Sequence, residues 1–130
     1  MINSVEEFVR LRTSNNPEEY GRAIHEPVEE QVWLEIINSQ PDMIFWVIQN
    51  KNVPLGVLKQ LVTSPDPSIR RAVARKRKLS FDIFTQLAQD PDEYVRQTVA
   101  NNPKTPKEIL IKLVDDESLL VSQSAKGKLS

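Results

Sequence analysis

The feature that most constrains the fold of this chain is a sequence repeat with a period of 26 residues. Residues 65–74 read PDPSIRRAVA and residues 91–100 read PDEYVRQTVA, so proline, aspartate, arginine, valine and alanine recur at that spacing. The register continues without insertion from about residue 39 to residue 116. Such a period is typical of stacked repeats, in which each unit buries its apolar face against its neighbours.

Each repeat has the pattern of two short helices. Apolar pairs at Ile109-Leu110 and Leu113-Val114 lie one helical turn apart, a spacing that strands do not share. Ser4, with Glu7 three residues later, forms a capping box that opens one more helix ahead of the repeats. The sequence therefore predicts an all-α fold.

Polar residues at the junctions predict where individual helices begin and end. We expect Asp90 and Thr105 to be N-caps, because a proline follows each of them at the first helical position. Asn102 precedes Pro103, and we expect it to end its helix in a left-handed conformation.

The expected architecture is one domain, a short α-solenoid (superhelix) of two-helix repeats with an N-terminal capping helix. Helices of about two turns are marginal alone, so their stability should come from packing against neighbouring repeats. The expected parts are a cap helix at 1–13, a degenerate repeat at 14–38, repeats at 39–64, 65–90 and 91–116, and a truncated C-terminal cap at 117–130.

A family resemblance rests on Val95-Arg96, Val99-Ala100-Asn101-Asn102-Pro103, Thr105-Pro106 and Glu108-Ile109-Leu110. On these residues the chain resembles the leucine-rich repeat variant family, itself similar to HEAT-like helical repeats, over roughly residues 39–125. The resemblance implies a scaffold and leaves the partner open. Some variant-family members carry a cysteine cluster for an iron–sulfur centre, and some HEAT-like proteins are DNA glycosylases. Neither role is carried over, because this chain has no cysteine and no matching site motif.

Composition removes several classes of function. With 17 basic and 18 acidic residues, a net charge of -1 gives no general attraction to nucleic acid or to an anionic membrane. The absence of cysteine removes disulfides and thiol chemistry and fits a reducing compartment. No apolar run approaches the ~20 residues of a membrane span, and the acidic N-terminus is unlike a signal peptide. We expect a cytoplasmic protein without cofactor, metal or membrane partner.

The strongest departure from the repeat is a run of four cations at 75–78. Residues 66–78 hold six cations and one anion, whereas the corresponding connectors read QNKN at 49–52 and NNPK at 101–104. One interpretation is a solvated connector that pairs with acidic neighbours. The other is a contact site for phosphate or for an acidic protein surface. The candidate binding cations are Arg70, Arg71, Arg75, Lys76, Arg77 and Lys78.

Two acid–base pairs at helical spacing predict a structural ladder, in which Asp66 pairs with Arg70 and Asp92 pairs with Arg96. In the flanking repeats both members of the pair are replaced together. We therefore expect each aspartate to serve the arginine four residues later, and we expect the role of these pairs to be structural.

Three aromatic residues lie near the N-terminal repeats. Trp33 and Trp46 fall on core positions, and a ligand cage is the alternative. Phe45 aligns with Arg71 and Gln97, which are both polar, so we expect Phe45 to be exposed and name it as a candidate binding residue.

Catalytic groups are scarce. His25 is the only histidine, and a glycosidase-type pair among the acidic doublets has no further support. We therefore expect a non-catalytic interaction protein that binds a protein partner through a solenoid face. The alternative is binding of a nucleic-acid phosphate backbone through the basic connector 70–78.

Overall fold

A computed structural model describes residues 1–130 and contains ten α-helices, one short 3-10 helix at Pro41–Met43 and no β-strand. The predicted all-α class is confirmed. The helices are α1 (Val5–Arg12), α2 (Pro17–His25), α3 (Glu30–Ser39), α4 (Ile44–Gln49), α5 (Leu55–Leu61), α6 (Pro67–Ala74), α7 (Phe81–Ala88), α8 (Glu93–Asn101), α9 (Lys107–Leu113) and α10 (Leu119–Leu129).

The helices follow the sequence period. Residues 65–90 hold α6 and α7, and residues 91–116 hold α8 and α9. The chain forms two compact units, which we call unit 1 (Met1–Leu58) and unit 2 (Lys59–Ser130). The arrangement of all repeats in one solenoid domain stays a prediction.

Unit 1 is built around α1 and α3. The Ser4 side chain accepts a hydrogen bond from the Glu7 backbone N–H at 3.0 Å, which confirms Ser4 as the N-cap of α1. Phe8 packs edge-on against the fully buried Trp33, with 6.1 Å between the ring centroids. Ile2, also fully buried, forms an isolated parallel bridge with Val28 and so fixes the residues ahead of α1.

Unit 2 packs helices that are two apart in the chain. Helix α8 contacts both α6 and α10, and α7 contacts α9. Val73, Leu87, Val95 and Val99 have no exposed surface. Each such side chain contributes about 1.5–3 kcal/mol by leaving water, so these short helices depend on their neighbours for stability.

Two of the expected caps are wrong. Asp92, not Asp90, caps α8, with its Oδ1 accepting from the Tyr94 N–H at 2.7 Å. Thr105 does not cap α9; its hydroxyl donates to the Val99 carbonyl at 2.6 Å. The last carbonyls of a helix lack helical partners, and the buried Thr105 satisfies one of them.

Candidate functional site

The contacts of the arginines show which cations hold the fold together and which do not. Arg12 and Arg71 lie over aromatic rings. Arg75 and Arg77 have neither a carboxylate nor an aromatic ring as a partner. The remaining arginines form ion pairs, and they are Arg10, Arg22, Arg70 and Arg96.

The basic connector joins α6 to α7. Arg75 is the C-cap of α6, and Ser80 caps α7 by accepting from the Ile83 N–H at 3.3 Å. Arg75, Arg77 and Lys78 are exposed and form no ion pair. The interpretation in which the connector pairs with acidic neighbours therefore does not hold for these three cations.

Three of the candidate cations line one open groove of unit 2, about 320 Å³ in volume. Arg71 and Arg75 lie one turn apart on α6, and Arg77 follows in the connector. No carboxylate lines the groove, whereas Lys76, Lys78 and the ion-paired Arg70 lie outside its lining. We call it the arginine groove, defined by Arg71, Arg75, Arg77, Thr98, Asn101, Asn102 and Pro103.

An exposed aromatic residue lies beside the groove. Tyr94 of α8 is 48% exposed, and the guanidinium carbon of Arg71 lies 6.0 Å from its ring centroid. This distance is at the outer limit of a cation–π contact, so the ring orients Arg71 weakly. The guanidinium keeps its hydrogen-bond donors for a ligand.

Arg70 and Arg96 form a ladder between helix pairs. The Arg70 Nε donates to Asp90 Oδ2 at 2.8 Å and its Nη2 to Asp90 Oδ1 at 3.2 Å. Arg96 makes the same fork with Asp116, at 2.9 and 3.1 Å. The side chains are almost buried, with 13% or less exposed in each of the four. Each arginine therefore pairs with an aspartate 20 residues ahead of it.

The predicted pairing of Asp66 with Arg70 and of Asp92 with Arg96 is wrong. The carboxylates of Asp66 and Asp92 accept from backbone N–H groups at the start of their own helices. Neither carboxylate forms an ion pair with the arginine four residues later. Sequence reasoning missed the true partner, Asp90, although it recurs as Asp116 after 26 residues.

In the second ion pair of the ladder, Asp116 and Arg96 each shift the pKa of the other. Burial raises the pKa of the Asp116 carboxyl, but hydrogen bonds from Arg96 and the Ser118 N–H more than offset this, and the pKa falls below its usual range. The hydrogen bond to Asp116 in turn raises the pKa of Arg96. Both groups are therefore charged at neutral pH.

Asn102 connects neighbouring helix pairs through its side chain. Its Nδ2 donates to the carbonyls of Ala74 at 2.8 Å and Lys76 at 2.7 Å, and its Oδ1 accepts from the Lys104 N–H at 2.9 Å. The expected left-handed conformation is wrong, because Asn102 has a φ of -70°. A buried amide that satisfies three backbone groups explains the asparagine better than backbone freedom does.

Asn50 makes the equivalent contacts in unit 1. Its Nδ2 donates to the carbonyls of Ala23 and Glu26 at 2.8 and 3.1 Å, and its Oδ1 accepts from the Asn52 N–H at 2.7 Å. Asn50 and Asn102 are two periods apart, and Lys76 occupies the position between them. The recurrence of asparagine was the signal that sequence reasoning overlooked.

The aromatic residues of unit 1 divide between core and surface. Trp33 is fully buried, as expected. Trp46 is half-buried, with the Arg12 guanidinium carbon 3.2 Å from its ring centroid. Phe45 is 41% exposed on α4, and Tyr20 is 38% exposed on α2. The predicted exposure of Phe45 is confirmed, and its binding role stays a prediction.

The groups considered for catalysis belong to unit 1, and none of them is in the lining of the groove. His25 is exposed at the C-terminal end of α2, where its carbonyl accepts from the Asn52 side chain. Glu7 and Glu19 of the acidic doublets are ion-paired with arginines. The structure brings together no group of three or more His, Cys, Asp or Glu side chains that could hold a metal ion.

The formal charges of the two units have opposite signs. Unit 1 holds four basic and nine acidic residues, a charge of -5, and unit 2 holds thirteen basic and nine acidic residues, a charge of +4. These values sum to the -1 of the whole chain. The arginine groove thus lies on the basic unit.

Comparison with protein-family models, curated proteins and solved structures gave no match. The resemblance to the leucine-rich repeat variant family therefore stays a prediction. No helix is both long and apolar enough to cross a membrane.

Proposed function

We propose that this chain is a non-catalytic α-solenoid that binds an acidic partner protein through the arginine groove. The observation that carries the proposal is that Arg75 and Arg77 line a groove without any carboxylate and have no partner of their own. We further propose a cytoplasmic site of action, which suits a chain without cysteine.

Support for the stacked architecture comes from the contacts inside unit 2. Successive first helices (α6, α8, α10) contact one another, and so do the second helices α7 and α9. The Arg70–Asp90 and Arg96–Asp116 pairs repeat the same connection after 26 residues. This is the nearest-neighbour bonding expected of a solenoid.

Support for an acidic partner comes from electrostatics. Arginines that line one groove repel one another, and no acidic side chain in the lining offsets that repulsion. Carboxylates of a partner would do so and would accept the guanidinium hydrogen bonds. The positive charge of unit 2 would also speed their approach at low salt.

The test is binding of a fluorescently labelled peptide rich in glutamate and aspartate, measured by anisotropy. Replacing Arg75 and Arg77 with glutamine should weaken binding by roughly tenfold or more, because charge-assisted hydrogen bonds are lost. The matched control replaces Lys126 and Lys128 with glutamine. These two exposed lysines of unit 2 lie outside the groove, so the control should change binding by less than about twofold. Equal losses in both variants would mean attraction by net charge alone and would contradict the proposal.

Nucleic-acid binding through the same groove is the second candidate, favoured by the tyrosine beside the arginines. For this candidate, affinity for duplex DNA should fall steeply with salt, and replacing residues 75–78 with glutamate should abolish it. No duplex binding near physiological salt excludes it.

A further inference from the structure

We propose that the arginine groove recognises a phosphorylated serine or threonine on a peptide segment of the partner. This inference rests on the proposed function and names the group that the groove binds. The juxtaposition that carries it is that Arg75 and Arg77, which form no ion pair, line the same groove as Arg71, with no carboxylate in the lining.

The ladder shows which hydrogen-bond donors satisfy one carboxylate in this protein. Arg70 alone occupies both oxygens of Asp90, through Nε at 2.8 Å and Nη2 at 3.2 Å, and Oδ1 accepts one backbone N–H as well. Asp116 likewise accepts from Nε and Nη2 of Arg96 and, at Oδ1, from the Ser118 N–H. One planar fork thus matches one carboxylate.

The groove offers more donors than one carboxylate can accept. A phosphoryl group carries a charge of about -1.5 to -2 and three strong acceptor oxygens, so it can accept from two guanidinium groups at once. Its charge also offsets two cations, whereas a carboxylate offsets one. The hydrogen-bond donors and positive charges of Arg75 and Arg77 therefore fit a phosphoryl group better than they fit a glutamate or aspartate side chain.

The size of the groove favours a peptide over a free phosphate ion. Its volume of about 320 Å³ lies at the lower end of the range for ligand pockets. The half-exposed Tyr94 ring next to Arg71 offers apolar contact area to a residue beside the phosphorylated one.

The charge distribution favours a peptide over a nucleic acid. A protein that binds a phosphate backbone commonly neutralises about 6–10 phosphates and presents an extended basic surface. Here only three cations, all arginines, line one groove. A cluster of this size matches a single phosphoryl group on a peptide better than it matches a chain of phosphates.

The experiment uses the full chain and three pools of short labelled peptides with degenerate flanks, whose central residue is phosphoserine, serine or glutamate. The phosphoserine pool should bind roughly tenfold more tightly than the glutamate pool, and inorganic phosphate should compete at constant ionic strength. Exchange of Arg75 and Arg77 for lysine keeps the charge but removes the fork, and should still cost roughly fivefold or more. Exchange of Lys126 and Lys128 for glutamine is the matched control, and circular dichroism verifies the fold of every variant.

Each other result overturns the inference in a recognisable way. Equal affinity for the phosphoserine and glutamate pools, lost with Arg75→Gln and Arg77→Gln, leaves the proposed function standing and rules out phosphoryl recognition. Tighter groove-dependent binding of a single-stranded DNA of matched charge shows that the ligand class is wrong. Binding of no pool, or binding that the groove variants leave unchanged, overturns the inference and the proposed function together.

Discussion

Unit 1 and unit 2 use their arginines differently. Unit 1 has three, and all have partners inside the unit: Arg10 and Arg22 pair with glutamates, and Arg12 lies over Trp46. Unit 2 has five, of which two, Arg75 and Arg77, have no such partner. Six of the eight arginines thus contact a carboxylate or an aromatic ring of their own unit, and the two that do not, Arg75 and Arg77, line one groove.

The largest expected effect tests whether each unit depends on its own core. Ile36 and Leu87 occupy corresponding repeat positions in units 1 and 2, and both are fully buried. Replacing either with alanine should lower the free energy of unfolding by about 2–5 kcal/mol, because a cavity remains. Both tryptophans, Trp33 and Trp46, lie in unit 1, so their fluorescence follows Ile36→Ala, while helical circular dichroism follows Leu87→Ala. An unchanged denaturation midpoint in either variant would contradict the core packing described for that unit.

The next effect separates an arginine of the ladder from one of the groove. Arg96→Gln leaves Asp116 charged and nearly buried, so we expect a loss of about 3 kcal/mol in urea unfolding. Because the pKa of Asp116 lies below its ordinary value of 3.8, the contribution of the pair should be complete above that value and be lost as the pH falls through the lowered pKa of the folded state. A loss that is independent of pH would be inconsistent with an ion pair.

The asparagines provide a matched test in both units. Asn102→Ala and Asn50→Ala should each cost about 1–3 kcal/mol, because buried backbone carbonyls lose their donors. Leucine at either position would fill the space without donating, and should not restore stability. If one asparagine matters and the other does not, the equivalence drawn between the two connectors is incorrect.

Acid should act on unit 1 through Glu26. Hydrogen bonds from Arg22 and from the N-terminal ammonium lower the pKa of this carboxyl to about 2. A lowered pKa means that the stabilisation is complete above the ordinary value of 4.5 and is lost as the pH falls toward 2. Glu26→Gln should flatten the pH dependence of tryptophan-detected unfolding over that range, and the exposed Glu35→Gln serves as the control. An identical dependence in both variants would argue against the role given to Glu26.

The smallest effect is expected where function is proposed. Arg77→Gln should change the free energy of unfolding by less than about 0.5 kcal/mol, since Arg77 is exposed and has no partner. The difference between this change and the change caused by Arg96→Gln measures how much more the fold depends on an arginine of the ladder than on one of the groove. A cost near that of Arg96→Gln would make Arg77 structural and weaken the case for the groove.

The sequence was informative where one residue decides the outcome and less so where two distant side chains meet. Ser4 capped α1 as expected because its partner, Glu7, is three residues away. The partner of Arg70 was assigned to Asp66 because both lie on one helix, but that carboxylate was already used as an N-cap. Long arginine side chains reach between helix pairs, and single-helix spacing does not describe that reach.

Only part of the candidate site could be predicted from the sequence, for a similar reason. The repeat showed that four adjacent cations are not needed in a connector. It could not show that Arg71, Arg75 and Arg77 line the groove while Lys76 and Lys78 do not, because that depends on where α6 ends and how the connector turns.

Lys76 also has a consequence for the motion of the basic connector. Asn50 and Asn102 each accept a backbone N–H two residues ahead, whereas a lysine ammonium has no lone pair and can only donate. The amide of Lys78 should therefore exchange its hydrogen for deuterium faster than those of Asn52 and Lys104. The connector that carries Arg75 and Arg77 therefore lacks the bond across two residues that the other two connectors share.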